Sequence, residues 1–387
     1  MVTCSRFLKN VNVLFPLIFY YIFNRVNPVY FYINNIFNYL IICVLKSVRR
    51  LRFSVLKIWL QHKNILSLHP NSKPVHMKKF LLKRKAQEFV PGGETFTLPV
   101  PHFDDDCTNF VYISDKLKDF YPETYNRLTS LFNQMEIEWG EVKGTKDIWI
   151  RDYMPIQIDD DRYLFYKYNP DYLKESGEKY LTDAHAVKKS VLHHYYWRNI
   201  NIILDGGNVV PAGEYRILTE KVFKENGKVP YDPDFCRLLT DVLYSDIIIL
   251  PWTCDNTTKP NADVYGHADG IVRWTGGNRI LMSNRRDYKP EEADETKHRL
   301  EKAGFQVTEM LFDVPSPDGD FNWAYINYLQ VGYKIIVPTF GIPEDRQALA
   351  YIREANPHCQ VKGFRMRDIA RNGGALHCIT WNIKKNK

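Results

Sequence analysis

Motifs that hold metal or disulfides through paired cysteines are missing from this sequence. Its 387 residues include seven cysteines, an odd number, with no Cys-x-x-Cys pair. This argues against a disulfide framework, a thiolate zinc site and a dithiol redox motif, and makes a reducing compartment the expected setting. A second absence is local: residues 1–85 contain no Ala, Gly, Asp or Glu, a composition foreign to a globular domain. The whole chain, 45% apolar and 25% charged, is ordinary and excludes wholesale disorder, collagen-like and coiled-coil classes. Charge is equally uneven. Fifteen of the 52 Lys and Arg residues fall within 1–87 with no acid among them, so the formal net charge of +7 hides a body from Glu88 onward with 37 basic and 45 acidic side chains. Such a body gives no reason to expect a nucleic acid partner, and a small cation suits it better.

The first 85 residues read in two ways. Val26 to Leu45 runs 20 residues without a charge, and Lys46, Arg49, Arg50 and Arg52 follow; a membrane helix there would put the downstream domain on the cytoplasmic side. Asn27, Asn34, Asn35, Asn38 and Pro28 make it a poor span, Val13 to Phe23 is too short for one, and no small-residue cleavage site marks a signal peptide. The other reading is a translated upstream stretch with Met77 as the natural start. The expected location is then the cytoplasm, with a membrane-anchored protein carrying a cytoplasmic domain as the alternative.

From Glu88 to Lys387 the pattern is that of one α/β domain. Tyr125, Leu128, Leu131, Phe132 and Met135 repeat at helical spacing, and helices are expected at Glu291 to Ala303, closed by Gly304, and at Pro343 to Ala355 with Pro343 in the first turn. Strands are expected at Asp147 to Trp149, Tyr163 to Tyr168, Asn201 to Leu204, Ile247 to Pro251, Gly270 to Trp274, Arg279 to Ser283, Gln306 to Phe312, Ala324 to Val331, Tyr333 to Phe340, Gln360 to Arg365 and Ala375 to Ile383. So many short strands with few helices do not alternate one to one, as a doubly wound sheet requires. A closed ring of small sheets fits better, and the pairs Gly206-Gly207, Gly276-Gly277 and Gly373-Gly374 add a faint repetition at strand boundaries.

Four polar clusters interrupt this apolar strand sequence: Trp149-Ile150-Arg151-Asp152, Asp205-Gly206-Gly207-Asn208, Gly266-His267-Ala268-Asp269-Gly270, and Asn372-Gly373-Gly374-Ala375-Leu376-His377-Cys378. Singly, each has a structural explanation. Asp152 could pair with Arg151, Asp205 could be a turn residue, His267 and Asp269 could be hydrogen-bonded neighbours on one face of a strand, and Cys378 could be a small buried hydrophobe. Together, one Cys, one His and three Asp at glycine-marked strand ends form a kit for thiol nucleophilic catalysis on a cation. A metal competes poorly, because Cys378 lacks a nearby second thiolate and His267 with Asp269 lacks a third ligand.

These motifs, with Ala324-Tyr325-Ile326-Asn327-Tyr328 before Ile336-Val337-Pro338 and with His377-Cys378-Ile379-Thr380, resemble the agmatine deiminase and bacterial peptidylarginine deiminase family from about Phe96 to about Ile383. The resemblance implies the guanidine-modifying (pentein) fold, a five-bladed α/β propeller of ββαβ units, and a hydrolase with no metal or organic cofactor. It implies Cys378 as nucleophile, His267 as acid and base, Asp205 as the group orienting His267, Asp152 and Asp269 as the carboxylates holding a guanidinium, Asn327 beside the nucleophile, and Trp149 against the substrate plane. The implied reaction converts agmatine to N-carbamoylputrescine and ammonia through a covalent thiouronium on Cys378. Peptidylarginine or free-arginine deimination is the alternative; amidino transfer and guanidine binding without catalysis stand behind it, and a homo-oligomer is open. Some positions depart from the family pattern. Typical agmatine deiminases carry Glu where this chain has Asp205, Gly where it has Met154, and a third Gly and an Asn where it has Ala375 and Leu376, so the identity of the substrate is less secure than guanidine hydrolysis.

Overall fold

The computed structural model describes residues 103–174, 177–192, 195–254 and 265–386. The chain divides into two units, Met1–Arg84 and Lys85–Lys387; everything described belongs to the second. Both readings of the leader, Met77 included, lie outside the described residues. Among the described residues no helix is long and apolar enough to cross a membrane.

Among the described residues, fifteen short strands form five separate three-stranded sheets. In chain order the strands are β1 (Phe110–Ser114), β2 (Glu138–Val142), β3 (Ile156–Gln157), β4 (Arg162–Lys167), β5 (Tyr196–Ile203), β6 (Val210–Ala212), β7 (Tyr215–Thr219), β8 (Asp246–Leu250), β9 (Val272–Trp274), β10 (Arg279–Met282), β11 (Gln306–Glu309), β12 (Leu329–Val331), β13 (Lys334–Thr339), β14 (Gln360–Arg365) and β15 (Thr380–Ile383). Four sheets follow one plan. A strand pairs antiparallel with the next, which then pairs parallel with a third: β3-β4-β5, β6-β7-β8, β9-β10-β11 and β12-β13-β14. A parallel pair cannot be joined by a tight turn and needs a crossover. Amphipathic helices supply it in four of the five parallel pairs, α1 (Pro122–Gln134), α2 (Pro233–Leu243), α3 (Pro290–Lys302) and α4 (Asp345–Ala355), whereas among the described residues the connection from β4 to β5 holds only short helical turns. Each buries one apolar face, for example Phe235, Leu239, Val242 and Leu243 of α2.

The remaining sheet closes the chain on itself. β1 runs parallel to β2 but takes its antiparallel partner from the far end, with Phe110 opposite Ile383 and Ile113 opposite Thr380. The site residues expected from the sequence therefore all fall on the five connections that lead from one sheet to the next.

Several boundaries differ from expectation. Asp147 to Trp149 is a bend rather than a strand, with the Asp147 carboxylate accepting the Trp149 N–H at 3.0 Å. The expected strand over Ala324 to Val331 begins as a 3-10 turn at Asn322–Ile326 and extends only from Leu329. The expected strand over Ala375 to Ile383 extends only from Thr380. His267 and Asp269 are not on a strand: His267 is extended, but Ala268–Gly270 is a 3-10 turn, entered through Gly266 at φ +62°. Helix α4 starts at Asp345, leaving Pro343 outside it. At the three strand-end clusters, loop side chains take up backbone N–H groups that a ladder would use: Asp147 at Trp149, Asn208 at Ala268 and Asn327 at His377.

Candidate active site

The connection after β2 forms a single helical turn, Ile150–Tyr153, and buries Asp152. The Asp152 Oδ1 atom accepts the Gly207 N–H at 3.1 Å and lies 3.4 Å from His267 Nδ1. The connection after β5 supplies Asp205, whose Oδ2 lies 2.8 Å from His267 Nε2. The turn that follows is tied down by Asn208, whose Oδ1 accepts the Thr219 N–H at 2.9 Å and the Ala268 N–H at 3.2 Å. Gly207 is where these connections meet. A Cβ there would stand 2.7 Å from Asp152 Oδ1, 2.9 Å from His267 Nδ1 and 3.2 Å from Asp269 Oδ2, so only glycine lets the three side chains converge.

The remaining two connections place the thiol. Asn327 follows a 3-10 turn, and its Oδ1 accepts the His377 N–H at 3.1 Å and the Cys378 N–H at 3.3 Å, pinning the segment before β15. The Cys378 Sγ atom is 4.0 Å from Asp269 Oδ2, and that oxygen is also 2.6 Å from His377 Nδ1. Asp152, Asp205, Asp269, His267, Asn327 and Cys378 are all buried. A cavity of about 440 Å³ opens over them, lined by Cys378, His267, Asp269 and Asn327 and, further out, by Tyr265, Trp323, Asp320 and Arg371.

Asp152 is not among the residues lining that cavity; its carboxylate is turned to His267 and Gly207. Trp149 does not line it either. Its ring packs so closely on Gly374 that a Cβ there would overlap it.

Electrostatics follow from burying three carboxylates around one ring. Burial opposes charge on His267, but Asp152 and the bond to Asp205 outweigh it and raise the imidazole to about 9. Burial likewise pushes Asp205 up, and is overcome by Lys221 and His267, which bring it down to about 2. Asp152, pushed up by burial against the pull of His267, rises to about 7. Burial also raises Asp269. The Cys378 thiol goes well above its usual range, through burial and then through the nearby charges of Asp269 and Asp152. These shifts favour a neutral thiol beside a charged imidazole.

Known proteins bear on this geometry. The model for the Porphyromonas-type peptidyl-arginine deiminases matches residues 115–383. The chain belongs to that family. Among curated relatives, an agmatine deiminase of Pseudomonas aeruginosa is 24% identical over 282 residues, 61% of this chain and 74% of its own. A relative from Listeria monocytogenes is 28% identical over 147 residues, 36% of this chain and 37% of its own, so the chain matches well under half of that protein's length. Among solved structures, C. jejuni agmatine deiminase superposes with a TM-score of 0.58 at 18% identity over 74% of this chain and 95% of that one. The Enterococcus faecalis enzyme gives 0.55 at 19% over 73% and 96%. At these identities the superpositions establish a shared α/β fold for this member of the deiminase family.

Two side chains of the site were not legible as such in the sequence. His377 stands in the His-Cys motif, but only the structure shows its ring bonded to Asp269. Burial and then Arg151 and Arg273 push it well below the ordinary imidazole range, which favours the neutral ring, and its Nδ1 lies 2.6 Å from Asp269 Oδ2. Lys221, wholly buried, lies 2.6 Å from Asp205 Oδ2 and also pairs with Glu225. In sequence that i,i+4 Lys-Glu pair reads as a solvated helix face.

Proposed function

We propose that the protein hydrolyses a guanidino compound, most economically agmatine to N-carbamoylputrescine and ammonia, and that its five sheets are the blades of a closed α/β propeller whose inter-blade connections form the active site. What carries the reading is the approach of Cys378 Sγ to 4.0 Å from Asp269 Oδ2 at the floor of a cavity that His267 also lines. A guanidinium is planar, cationic and rich in N–H donors, and its resonance makes the central carbon a poor electrophile. Carboxylates in its plane, Asp269 and Asp152, grip it by charge-assisted bonds; Asp152 would exchange part of its contact with His267 for the substrate.

The bound cation changes the balance of charge around the thiol. A positive charge beside Cys378 stabilises the thiolate that Asp269 and Asp152 otherwise oppose, so that the thiol gives its proton to solvent as the cation binds. The Sγ atom then bonds to the guanidinium carbon, one C–N bond breaks, and the leaving nitrogen departs as ammonia with a proton from His267. The thiouronium left behind takes up water, whose proton returns to His267. The C–S bond breaks, and a ureido product and the free thiol result. Asp205 holds the ring for both transfers, and Asn327 fixes the Cys378 backbone.

A second reading concerns the tail of the substrate. Arg371 lies at the cavity lining and is exposed, its guanidinium 5.9 Å from the Phe321 ring. A carboxylate on the substrate would suit this cation, whereas the ammonium of agmatine would suit Asp320 and the Trp323 face. Incubation with agmatine, free arginine and a peptide ending in arginine, with ureido product measured from each, separates the two. If none yields product, the deiminase reading falls. If product forms only when an amine is added as acceptor, the reaction is amidino transfer.

Gly207 offers a test of the geometry. Gly207→Ala forces Asp152 and His267 apart by up to an ångström, a displacement expected to lower turnover by about 10²-fold or more. The thermal midpoint should move far less than in a core truncation, because the added methyl meets side-chain ends. Steady-state assay and thermal denaturation of the same preparation check both halves.

A further inference from the structure

Asp205 Oδ2 is shared by two cations. His267 Nε2 lies 2.8 Å from it and Lys221 Nζ 2.6 Å from it, while Asp205 Oδ1 has no hydrogen-bond partner among the described residues. We infer that Lys221 is a positioning residue that limits how tightly Asp205 holds the His267 ring and its proton, a role with catalytic meaning only under the deiminase reading above.

The geometry argues for more than structural pairing. Lys221 opens the short helix Lys221–Glu225 after β7 and is wholly buried. Glu225 Oε1 already neutralises it within that helix and accepts the Asp171 N–H at 3.1 Å. Burying a second carboxylate against the same ammonium costs solvation that stability alone does not require. The bond to Asp205 places the ammonium on the very oxygen that the imidazole uses.

The groups facing the pair can be named from every side. Around His267 stand Asp152 at 3.4 Å, Asp205, and Asp269 two residues on, with the Tyr172 and Tyr265 rings each 6.3 Å from its own. Around Lys221 Nζ stand Asp205, Glu225 and the Tyr172 ring at 5.3 Å. Lys221 is thus the one cation among these neighbours of His267, set against several acids. Without a counterweight the imidazolium would hold its proton too tightly in the step in which it must give it to the leaving nitrogen.

The sign of each substitution follows. Lys221→Met removes a positive charge and frees Asp205 for the ring, raising the His267 titration midpoint by roughly one unit or more. Near pH 7 the ring starts charged in both proteins, but a midpoint one unit higher makes it a weaker acid toward the leaving nitrogen, so product formation should fall by up to about tenfold per unit, with KM little changed. Glu225→Gln leaves the ammonium to Asp205 alone and should lower the midpoint.

Titration of the histidine ring resonances by NMR, with His267 assigned from a His267→Gln sample, reads this directly, and pH-rate profiles are recorded alongside. A rise with Lys221→Met supports the role; an unmoved or lowered midpoint overturns it. If Lys221→Met fails to fold, Glu225→Gln decides alone: a fall of half a unit or more supports the role, and a smaller fall, no change or a rise overturns it. Should the wild type act on no guanidine, the deiminase reading fails while the titration still answers for Lys221.

Discussion

Replacing Cys378 with alanine is expected to remove ureido-product formation, by on the order of 10⁴-fold or more, and to leave the fold as it is. The sulfur is the strongest nucleophile of the site and forms the covalent bond that the proposed reaction requires, while the carboxylates and His267 are engaged in holding the substrate and moving protons. The loop does not depend on it. The Cys378 backbone N–H is held by Asn327 Oδ1, the preceding N–H by the same atom, and the Arg151 N–H bonds the Cys378 carbonyl at 3.1 Å. His267→Ala should be less severe, at about 10²- to 10⁴-fold, because attack by an already formed thiolate survives loss of the acid. Ammonia release and intact mass after incubation with substrate check the ordering: wild type shows a transient adduct on Cys378, and the alanine variant shows neither adduct nor ammonia. Ammonia from the alanine variant would mean that another nucleophile, or water directly, performs the first step.

How far this site could be read from sequence differs from residue to residue. Asp152, Asp205, His267, Asp269, Asn327 and Cys378 stood out because polar and glycine residues break apolar strand sequence, and all six meet in space. The glycines were legible for the same reason: a residue without Cβ is needed where connections cross, as at Gly207. That the domain is built from many short strands with few helices between them also followed from strand counting. The pairing of β15 with β1 did not, since no local pattern joins Phe110 to Ile383. Helix α2 was missed despite Asp232 capping it, Pro233 in its first turn and the apolar face of Phe235, Leu239, Val242 and Leu243 that follows, signals that together mark a helix start. His267 and Asp269 were placed on one strand face by a period-2 argument, whereas the 3-10 turn at Ala268–Gly270 aims them at different partners. Lys221 was invisible because burial of an i,i+4 pair is decided by tertiary packing, and Trp149 was expected beside the cavity but packs on Gly374.

Asp269→Asn should separate grip from reactivity, because its two expected effects have opposite signs. The carboxylate is placed to hold the guanidinium, and truncating one side of a buried charge pair costs about 3–5 kcal/mol, which is roughly 10²- to 10⁴-fold in kcat/KM. In the free protein the same carboxylate, after burial, is the largest influence holding the Cys378 thiol protonated. With a neutral amide in its place the thiol titrates lower, a larger fraction is thiolate near neutral pH, and alkylation by iodoacetamide should become faster as turnover becomes slower. The amide oxygen can still accept from His377 Nδ1, which now lies 2.6 Å from the acid, so the loop should keep its shape. If turnover stays within tenfold of wild type, Asp269 does not hold the substrate. If alkylation slows together with turnover, the substitution has closed the cavity or displaced the thiol, and the charge argument fails there. Only slower turnover with a more reactive sulfur fits a carboxylate that opposes the thiolate until a cation arrives between them.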